Sequence, residues 1–170
     1  MRYIDFDGVI LDTKEPLFEN WDRNVSKNDE EKIVEYMKLQ NWRHILMEAK
    51  EINDSLHKLR EMDPQKSAII TKVHSFENEA VAKLEYLRGK DIKQSIIFVP
   101  HFLEKADIVN AKNNILVDDS LMNLKIWEEA GGYPIFFDMD FDGIDPYGYA
   151  NTYLYQKTRY IDAKARTKNR

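Results

Sequence analysis

The feature that most constrains the fold of this chain is a set of five short apolar runs, rich in β-branched and aromatic residues. Each run has the length of a strand and is nearly continuous in hydrophobicity, which is typical of strands buried on both faces. Helical patterns separate the later runs, so the chain predicts an α/β fold: a Rossmann-like parallel sheet of about five strands flanked by helices. The runs are residues 2–6, 67–71, 95–99, 114–117 and 133–137.

Helical spacing of apolar residues fills the gaps between the later runs. Ser75 suits the N-cap of a first helix, and Glu77 and Glu79 would then lie near the positive end of its dipole. A shorter helix is expected over residues 102–109, and a third apolar face lies at residues 121–127.

The connection between the first two runs is too long for an ordinary crossover, at about 55 residues. It is nevertheless patterned. Asn28, with Glu31 three residues later, resembles a capping box. We therefore expect a small helical cap inserted after the first strand. Its main apolar stripe predicts a helix through Ile45, Ala49, Ile52, Leu56 and Leu59.

This pattern divides the chain into an α/β core of residues 1–12 and 66–150, a cap of residues 13–65 and a basic tail of residues 151–170. Charge follows the same division, because residues 156–170 hold six lysines and arginines against one aspartate. The remainder is strongly acidic, since the whole chain has a net charge of −5. An acidic body repels phosphate backbones, so we do not expect a nucleic acid polymer as partner.

Composition excludes several classes of site and location. The chain has no cysteine, which rules out disulfides, zinc–thiolate sites and thiol nucleophiles. No apolar stretch approaches the ~20 residues of a membrane helix, and the first residues do not resemble a signal peptide. We therefore expect a cytoplasmic protein without a membrane partner. Its oligomeric state is not indicated by the sequence.

Acidic and hydroxyl side chains stand where three of the predicted strands end. Asp5 and Asp7 end the first, Thr71 the second, and Asp118 with Asp119 the fourth. Each could be a turn or helix cap if taken alone. In a parallel sheet, however, all carboxyl ends meet at one edge, where ligands bind. Four carboxylates in one crevice require a cation, and oxygen ligands suit Mg²⁺.

The same segments resemble the motifs of the haloacid dehalogenase-like phosphatases. "DFDGVILDT" resembles the first motif, "AIIT" the second and "ILVDDS" the fourth, in the order of that superfamily. The resemblance covers residues 1–138, and the insertion after the first motif looks like the superfamily's helical cap. "NILVDDSLMNLKIWEEAGGYPIFF" is similar to the branch of small 5'(3')-deoxyribonucleotidases and related phosphatases.

The resemblance implies a phosphomonoester hydrolase that acts through an aspartyl-phosphate on a small phosphorylated metabolite, with a (deoxy)nucleotide as one candidate. Asp5 would attack phosphorus, and Asp7 would protonate the leaving oxygen and then activate water. Thr71 would hydrogen-bond the phosphoryl oxygens. Asp118 and Asp119 would hold Mg²⁺ together with Asp5 and the main-chain carbonyl of Asp7.

The superfamily also uses a lysine near the nucleophile, and four lysines are candidates here. Lys105 is favoured because it precedes the fourth strand, in the usual place for this branch. Lys112 is closer in sequence to the acid pair, but in a connecting turn. Lys83 lies within the helix after the second strand, and Lys72 directly follows the second motif.

Two other functions remain open for the same architecture. A receiver-like signalling domain also gathers acids, a Thr and a Lys at the ends of a parallel sheet and binds Mg²⁺, but it has no cap after its first strand. A non-catalytic phosphate-binding protein is the other alternative. The presence of both Asp5 and Asp7 opposes it, since loss of either acid is the simplest route to inactivity.

Further polar residues are weaker candidates for a site. The acidic run at residues 138–145 begins like a calcium loop, but Tyr149 stands where the bidentate Glu is required. His74 and His101 are candidates to line the crevice. A last group of side chains either forms a leaving-group pocket or, through its tryptophans, packs the cap against the core: Phe18, Trp21, Arg23, Trp42 and Arg43.

Overall fold

The computed structural model describes residues 1–19, 21 and 29–137 of the chain. The strands in these ranges are β1 (Arg2–Ile4), β2 (Leu11–Asp12), β3 (Lys50–Glu51), β4 (Ser67–Val73), β5 (Ser95–Pro100), β6 (Ile115–Asp118) and β7 (Tyr133–Phe136). The helices are α1 (Lys14–Leu17), α2 (Glu30–Leu39), α3 (Trp42–Glu48), α4 (Ser55–Glu61), α5 (Val81–Gly89), α6 (Lys105–Ile108) and α7 (Leu121–Glu129). One π-helical turn, Phe76–Ala80, directly precedes α5.

A five-stranded sheet of order β5-β4-β1-β6-β7 forms the centre of the molecule, and every neighbouring pair in it is parallel. The five predicted apolar runs are the five strands of this sheet, so the predicted Rossmann-like α/β fold is confirmed. From β1 the chain builds β4 and β5 on one side and then returns to build β6 and β7 on the other. Strand order therefore reverses beside β1, and α/β proteins bind ligands at the carboxyl ends of strands at such a point.

Apolar side chains of the central strands alternate between the two faces of the sheet. Ile4 and Ile69 belong to one hydrophobic cluster, whereas Tyr3 and Ala68 belong to another. The first cluster includes side chains of the inserted helices as well as of the sheet. On the other face, Trp127 of α7 packs edge-to-face against Tyr3, with ring centroids 5.4 Å apart. Packing on both faces fixes the strand ends that carry the polar residues.

The helices that follow the strands lie where the sequence predicts them, but two of them begin later. Ser75 accepts a hydrogen bond from the backbone N–H of Asn78 at 3.2 Å, as an N-cap does. The turn after it is π-helical, so regular α-helix starts only with α5. The predicted helix over residues 102–109 is too long. α6 is shorter because Glu104 and Asp107 form a capping box that starts the helix there.

The single helix predicted from the apolar stripe at residues 45–59 is wrong. α3 ends, β3 pairs antiparallel with β2, and α4 then begins after Asn53 and Asp54. These two residues have φ angles of 48° and 54°, the left-handed conformation that Asn and Asp adopt most readily. The stripe is apolar throughout because α3 and α4 both face the same hydrophobic cluster.

Several sequence predictions fall outside the described residues. These are the capping box at Asn28, the acidic run at residues 138–145 and the tail at residues 151–170. Within the described part, α2 is capped by Asp29, whose side chain accepts from the N–H of Lys32 at 3.3 Å. The division into core and cap stays a prediction. No helix in the described ranges has both the length and the apolar character needed to cross a membrane.

Candidate active site

The predicted site residues come together at the carboxyl ends of β1, β4 and β6. Asp5, Asp118 and Asp119 each place one carboxylate oxygen within 4.8 Å of the other two. Across the crevice, the hydroxyl of Thr71 donates a hydrogen bond to Oδ2 of Asp7 at 3.2 Å. The fold thus gathers all five residues that the sequence places at strand ends.

The first three carboxylates fit a hard divalent cation. Burial raises the pKa of Asp5 to about 8; Lys105 opposes this shift, while the negative charges of Asp118, Asp7 and Asp119 reinforce it. Burial likewise raises the pKa of Asp119. Part of each shift comes from the neighbouring carboxylates, which repel one another when all are ionised, and a bound cation would relieve that repulsion. An all-oxygen ligand set of this kind suits Mg²⁺.

Lys105 lies inside this acidic group, at the first turn of α6. Its side chain is only 3% exposed, and its Nζ is 2.7 Å from both Oδ1 of Asp5 and Oδ2 of Asp118. The pKa of Lys105 is raised by these two carboxylates even though burial acts to lower it. Among the described residues, the second oxygen of Asp5, Oδ2, has no hydrogen-bond partner. The nucleophile predicted from sequence is therefore held by one oxygen and open at the other.

Lys83 is a second buried lysine in the site, on the side of Asp7. Its Nζ is completely buried and lies 2.6 Å from Oδ2 of Asp7, 3.1 Å from Oγ1 of Thr71 and 2.8 Å from Oε1 of Glu79. The hydroxyl of Thr13 donates to Oδ1 of Asp7 at 2.8 Å. Burial acts to raise the pKa of Asp7, but Lys83 and the two hydroxyls outweigh it and lower that pKa.

The other two lysine candidates have different neighbours from the aspartates at the strand ends. Lys72 pairs with Oε2 of Glu104 at 2.7 Å. Lys112 lies in the turn before β6, beside Gly131, and so at the amino edge of the sheet. The favoured Lys105 is thus adjacent to the predicted nucleophile, and Lys83, another of the four candidates, lies on the side of Asp7.

Glu79 is the site residue that sequence reasoning missed. The sequence suggests only that it complements the helix dipole, yet its side chain is 1% exposed and bonded to Lys83. The available signal was its spacing of four residues from Lys83, which is common for pairs on helix surfaces. The Glu79–Lys83 pair differs from a surface pair only in being buried, and its burial results from the packing of α5 on the sheet.

Gly8 allows Asp119 to approach the first motif. Its φ is +77°, and a Cβ added there would lie 2.4 Å from Oδ2 of Asp119. The N–H of Gly8 donates to the carbonyl of Leu11 at 2.8 Å, which closes the turn after Asp7. The sequence predicts a turn for this glycine; the close approach to Asp119 is an additional requirement that only the fold makes visible.

Asp118 is fixed more firmly than Asp119. It is completely buried, and Oδ1 accepts from the N–H of Ser120 at 2.8 Å. The amide Nδ2 of Asn123, on α7, lies 3.2 Å and 3.0 Å from the two carboxylate oxygens. Asp119 instead meets the mostly exposed Lys14, whose Nζ is 2.6 Å from its Oδ2. A bound cation could therefore displace Lys14 far more easily than it could move Asp118.

The two histidines singled out by the sequence lie against each other. The rings of His74 and His101 stack with centroids 5.2 Å apart and an angle of 9° between their planes. Nδ1 of His74 is 3.3 Å from Oε2 of Glu79, and its backbone N–H donates to that oxygen at 2.8 Å. His74 thus connects to the site through Glu79.

No protein-family model and no curated protein sequence gives a significant match to the chain. Solved structures do match its fold. A HAD-superfamily hydrolase, subfamily IA, variant 1, from Geobacter sulfurreducens PCA is 12% identical with a TM-score of 0.53, over 82% of this chain and 90% of that one. A haloacid dehalogenase-like family hydrolase from Xanthomonas campestris is 13% identical with a TM-score of 0.52, over 95% and 97%.

These similarities define the fold: the chain has the α/β architecture of the haloacid dehalogenase-like hydrolases. The fold implied by the motifs at Asp5, Thr71 and Asp118 is confirmed. The resemblance to the 5'(3')-deoxyribonucleotidase branch stays a prediction.

Proposed function

We propose that this protein is a Mg²⁺-dependent phosphomonoester hydrolase that forms an aspartyl-phosphate on Asp5. One observation carries the proposal. Two carboxylates at the end of β1 have opposite environments, since Asp5 faces the acidic group of Asp118 and Asp119 whereas Asp7 is held by Lys83 and two hydroxyls. A nucleophile and an acid–base group in one reaction need such different surroundings.

Asp5 is suited to attack phosphorus because it is held at one oxygen only. Lys105 and the backbone N–H of Phe6 both contact Oδ1, at 2.7 Å and 2.8 Å. Oδ2 would form the new bond to phosphorus while the bond from phosphorus to the leaving oxygen breaks. Lys105 then remains beside the acyl phosphate, where its charge stabilises the phosphoryl oxygens.

Asp7 would handle the protons of both half-reactions. It would give a proton to the leaving oxygen and later take one from the water that hydrolyses the acyl phosphate. Its lowered pKa keeps it ionised in the free protein, the state required of a base. A phosphate dianion bound beside it adds negative charge, which favours uptake of the proton needed for the acid step.

The residues that would hold Mg²⁺ are Asp5, Asp118 and Asp119, with the main-chain carbonyl of Asp7. When bound, the cation supplies charge neutralisation for the phosphoryl oxygens that an anionic nucleophile must approach. Thr71 would donate its hydroxyl to a phosphoryl oxygen in place of the bond it makes to Asp7.

The leaving group of a small metabolite would lie on the side of the inserted segment. Lys14 contacts Asp119, and the residues after it line an open cavity of about 750 Å³ that includes Phe18 and Trp21 but none of the acidic residues at the strand ends. Cavities of this size accommodate metabolite-sized ligands. Trp42 is instead buried and donates to the carbonyl of Met37 at 2.9 Å, so it packs the insertion. A (deoxy)nucleotide is one candidate for the leaving group.

The test is phosphate release from p-nitrophenyl phosphate and a panel of sugar phosphates and nucleotides, with Mg²⁺ and with chelator. We expect the wild type to turn over at least one substrate only with Mg²⁺, and Asp5→Asn to be inactive. Asp91→Asn makes the same chemical change in an exposed loop and should keep full activity. Equal inactivity of wild type and Asp5→Asn across the panel would overturn the proposal.

The receiver-like alternative gives a different result in the same assay. A receiver would take up a stable phosphoryl group from a small donor and release no phosphate in repeated cycles. A non-catalytic phosphate-binding protein would bind inorganic phosphate without becoming labelled. Asp7, held in place by three side chains, favours turnover over both, because neither alternative needs an acid–base group.

A further inference from the structure

Lys83 bridges the carboxylates of Asp7 and Glu79, only one of which belongs to the proposed chemistry. Its Nζ lies between Oδ2 of Asp7 at 2.6 Å and Oε1 of Glu79 at 2.8 Å. The lysine and Glu79 are 0% and 1% exposed. A single ammonium group thus connects the proposed acid–base residue with a glutamate that makes no direct contact with Asp5 or Asp7 among the described interactions.

The backbone places Glu79 inward at an energetic cost. It belongs to the π-helical turn before α5, in which the apolar Phe76 is 51% exposed while the charged Glu79 is buried. Glutamate is one of the residues least often found buried, and π-helical turns occur frequently at functional sites. This turn therefore exposes an apolar side chain and buries a charged one, the reverse of what the hydrophobic effect favours.

Both oxygens of Glu79 are fixed. Oε1 accepts from Lys83, and Oε2 accepts from the backbone N–H of His74 at 2.8 Å in the loop that follows β4. The carboxylate therefore joins that loop to α5. With Glu79 held at both oxygens, the ammonium group of Lys83 has one available position, beside Asp7 and the hydroxyl of Thr71.

Stability alone does not account for this arrangement. A buried ion pair is often no more stabilising than well-packed apolar residues of the same volume, because both charges lose their hydration. The Lys83 ammonium also lies 5.2 Å from the ring centre of Phe6 and 5.0 Å from that of Trp42, so apolar groups already surround it. An arrangement that costs desolvation but orients Asp7 is explained by the reaction.

We infer that Glu79 is a positioning residue for the proposed reaction, which aims the carboxyl group of Asp7 at the leaving oxygen by fixing Lys83. The inference rests on the proposed function and adds to it the part of the structure that orients the acid. Lys83 touches Asp7 directly; Glu79 acts only through Lys83. Loss of Glu79 frees Lys83 to move with Asp7, and proton donation to the leaving oxygen becomes less efficient.

The test uses two aryl phosphates of nearly the same shape. The p-nitrophenolate ion leaves without help from an acid, whereas the more basic phenolate of phenyl phosphate needs protonation. The value of kcat/KM reports the steps up to cleavage of the ester bond, so it isolates the acid step. Since general acid catalysis contributes about 10²–10⁴-fold, we expect Glu79→Gln to lose about tenfold on phenyl phosphate and less than about twofold on p-nitrophenyl phosphate.

Three further variants complete the design. Glu77→Gln is the matched control, because Glu77 is an exposed glutamate of the same turn, and both esters should be unaffected. Lys83→Gln should show a larger selective loss, and the double variant Glu79→Gln/Lys83→Gln should be no worse than Lys83→Gln alone. Glu79→Asp, which keeps the charge, should recover part of the phenyl phosphate activity and serves if Glu79→Gln does not fold.

The outcomes separate this inference from the proposed function. A wild type inactive on both esters contradicts the proposed function itself. An active wild type whose Glu79 variants lose the same factor on both esters contradicts only the positioning role, as does a double variant in which the two losses multiply.

Discussion

The two sides of β1 handle charge in different ways. On the side of β6, the buried Lys105 meets Asp5 and Asp118, while Asp119 adds a third carboxylate that contacts the mostly exposed Lys14. On the side of β4, Lys83 meets Asp7 and Glu79, and two hydroxyls complete the shell of Asp7.

The consequence appears in the two aspartates that end β1. They are two residues apart, yet burial and neighbouring acids raise the pKa of Asp5 to about 8, whereas Lys83 and two hydroxyls lower the pKa of Asp7 despite its burial. One buried lysine serves each aspartate. On the β4 side, every carboxylate oxygen of Asp7 and Glu79 has a hydrogen-bond partner, whereas on the β6 side three carboxylate oxygens lie together where a cation could bind.

The largest effect should distinguish the two aspartates themselves. Asp5→Asn removes the nucleophile, so turnover should fall by roughly 10⁴-fold or more on every substrate. Asp7→Asn removes only proton transfer, which should cost about 10²–10⁴-fold and depend on the leaving group. The value of kcat/KM on phenyl and p-nitrophenyl phosphate checks this, because it ends at ester cleavage and leaves out hydrolysis of the acyl phosphate. Equal losses of kcat/KM for Asp7→Asn on both esters would contradict the division of roles.

The second effect compares the two lysines through stability. Lys105→Met and Lys83→Met each leave buried carboxylates unpaired, so each should lower the free energy of unfolding by roughly 3–5 kcal/mol. Mg²⁺ should restore part of the loss for Lys105→Met, because its partners are proposed metal ligands. For Lys83→Met, Mg²⁺ should raise the free energy of unfolding only by as much as it does for the wild type.

Urea unfolding with Mg²⁺ and with chelator measures both variants. Lys93→Met, at an exposed lysine, is the control and should change little. Equal rescue of both buried-lysine variants by Mg²⁺ would mean that the two sides of β1 do not differ as described.

A smaller effect is expected at Gly8, which lies beside Asp119. Gly8→Ala puts a Cβ 2.4 Å from Oδ2 of Asp119 and holds a non-glycine residue at φ +77°. The left-handed backbone alone costs roughly 1–2 kcal/mol. We also expect weaker Mg²⁺ binding, since Asp119 must move. Calorimetric titration with Mg²⁺ checks this, and Gly89→Ala, where an added Cβ meets nothing within 4 Å, is the matched control.

The last effect is the pH dependence of stability in the metal-free protein. The pKa of Asp5 rises from 3.8 to about 8 in the native state, so between these values the native protein binds more protons than the unfolded chain. The contribution of Asp5 to the free energy of unfolding is therefore fully present below pH 4 and is lost as the pH rises towards 8. Asp7, with its lowered pKa, contributes in the opposite direction only below pH 4.

Urea unfolding in chelator at pH 5 and pH 8 measures this slope. Asp5→Asn should flatten it, and saturating Mg²⁺ should remove the loss at pH 8. A slope unchanged by Asp5→Asn would show that other groups set it.

The sequence predicts the sheet and the gathering of the three carboxylates well because both follow from the strand pattern. Apolar runs give the strands, and parallel pairing then brings Asp5, Asp118 and Asp119 to one edge. The β4 side is harder to predict, since Glu79 and Lys83 have the spacing of an ordinary surface pair and only the packing of α5 buries them. The break between α3 and α4 is hidden for a similar reason, as the apolar spacing continues through Asn53 and Asp54.

The small β2–β3 ladder has a consequence for how the inserted segment could change in evolution. The inserted segment leaves through β2 and returns through β3, and Asp12 lies opposite Lys50 in the ladder. The buried hydroxyl of Ser55 adds a bond to the carbonyl of Ile10 at 2.8 Å. The two ends of the inserted segment are thus bonded to each other, so the position of the strand ends does not depend on the inserted helices. Since the entropy cost of loop closure grows only slowly with loop length, inserted segments of other lengths could replace the present one while the carboxyl edge of the sheet keeps its shape.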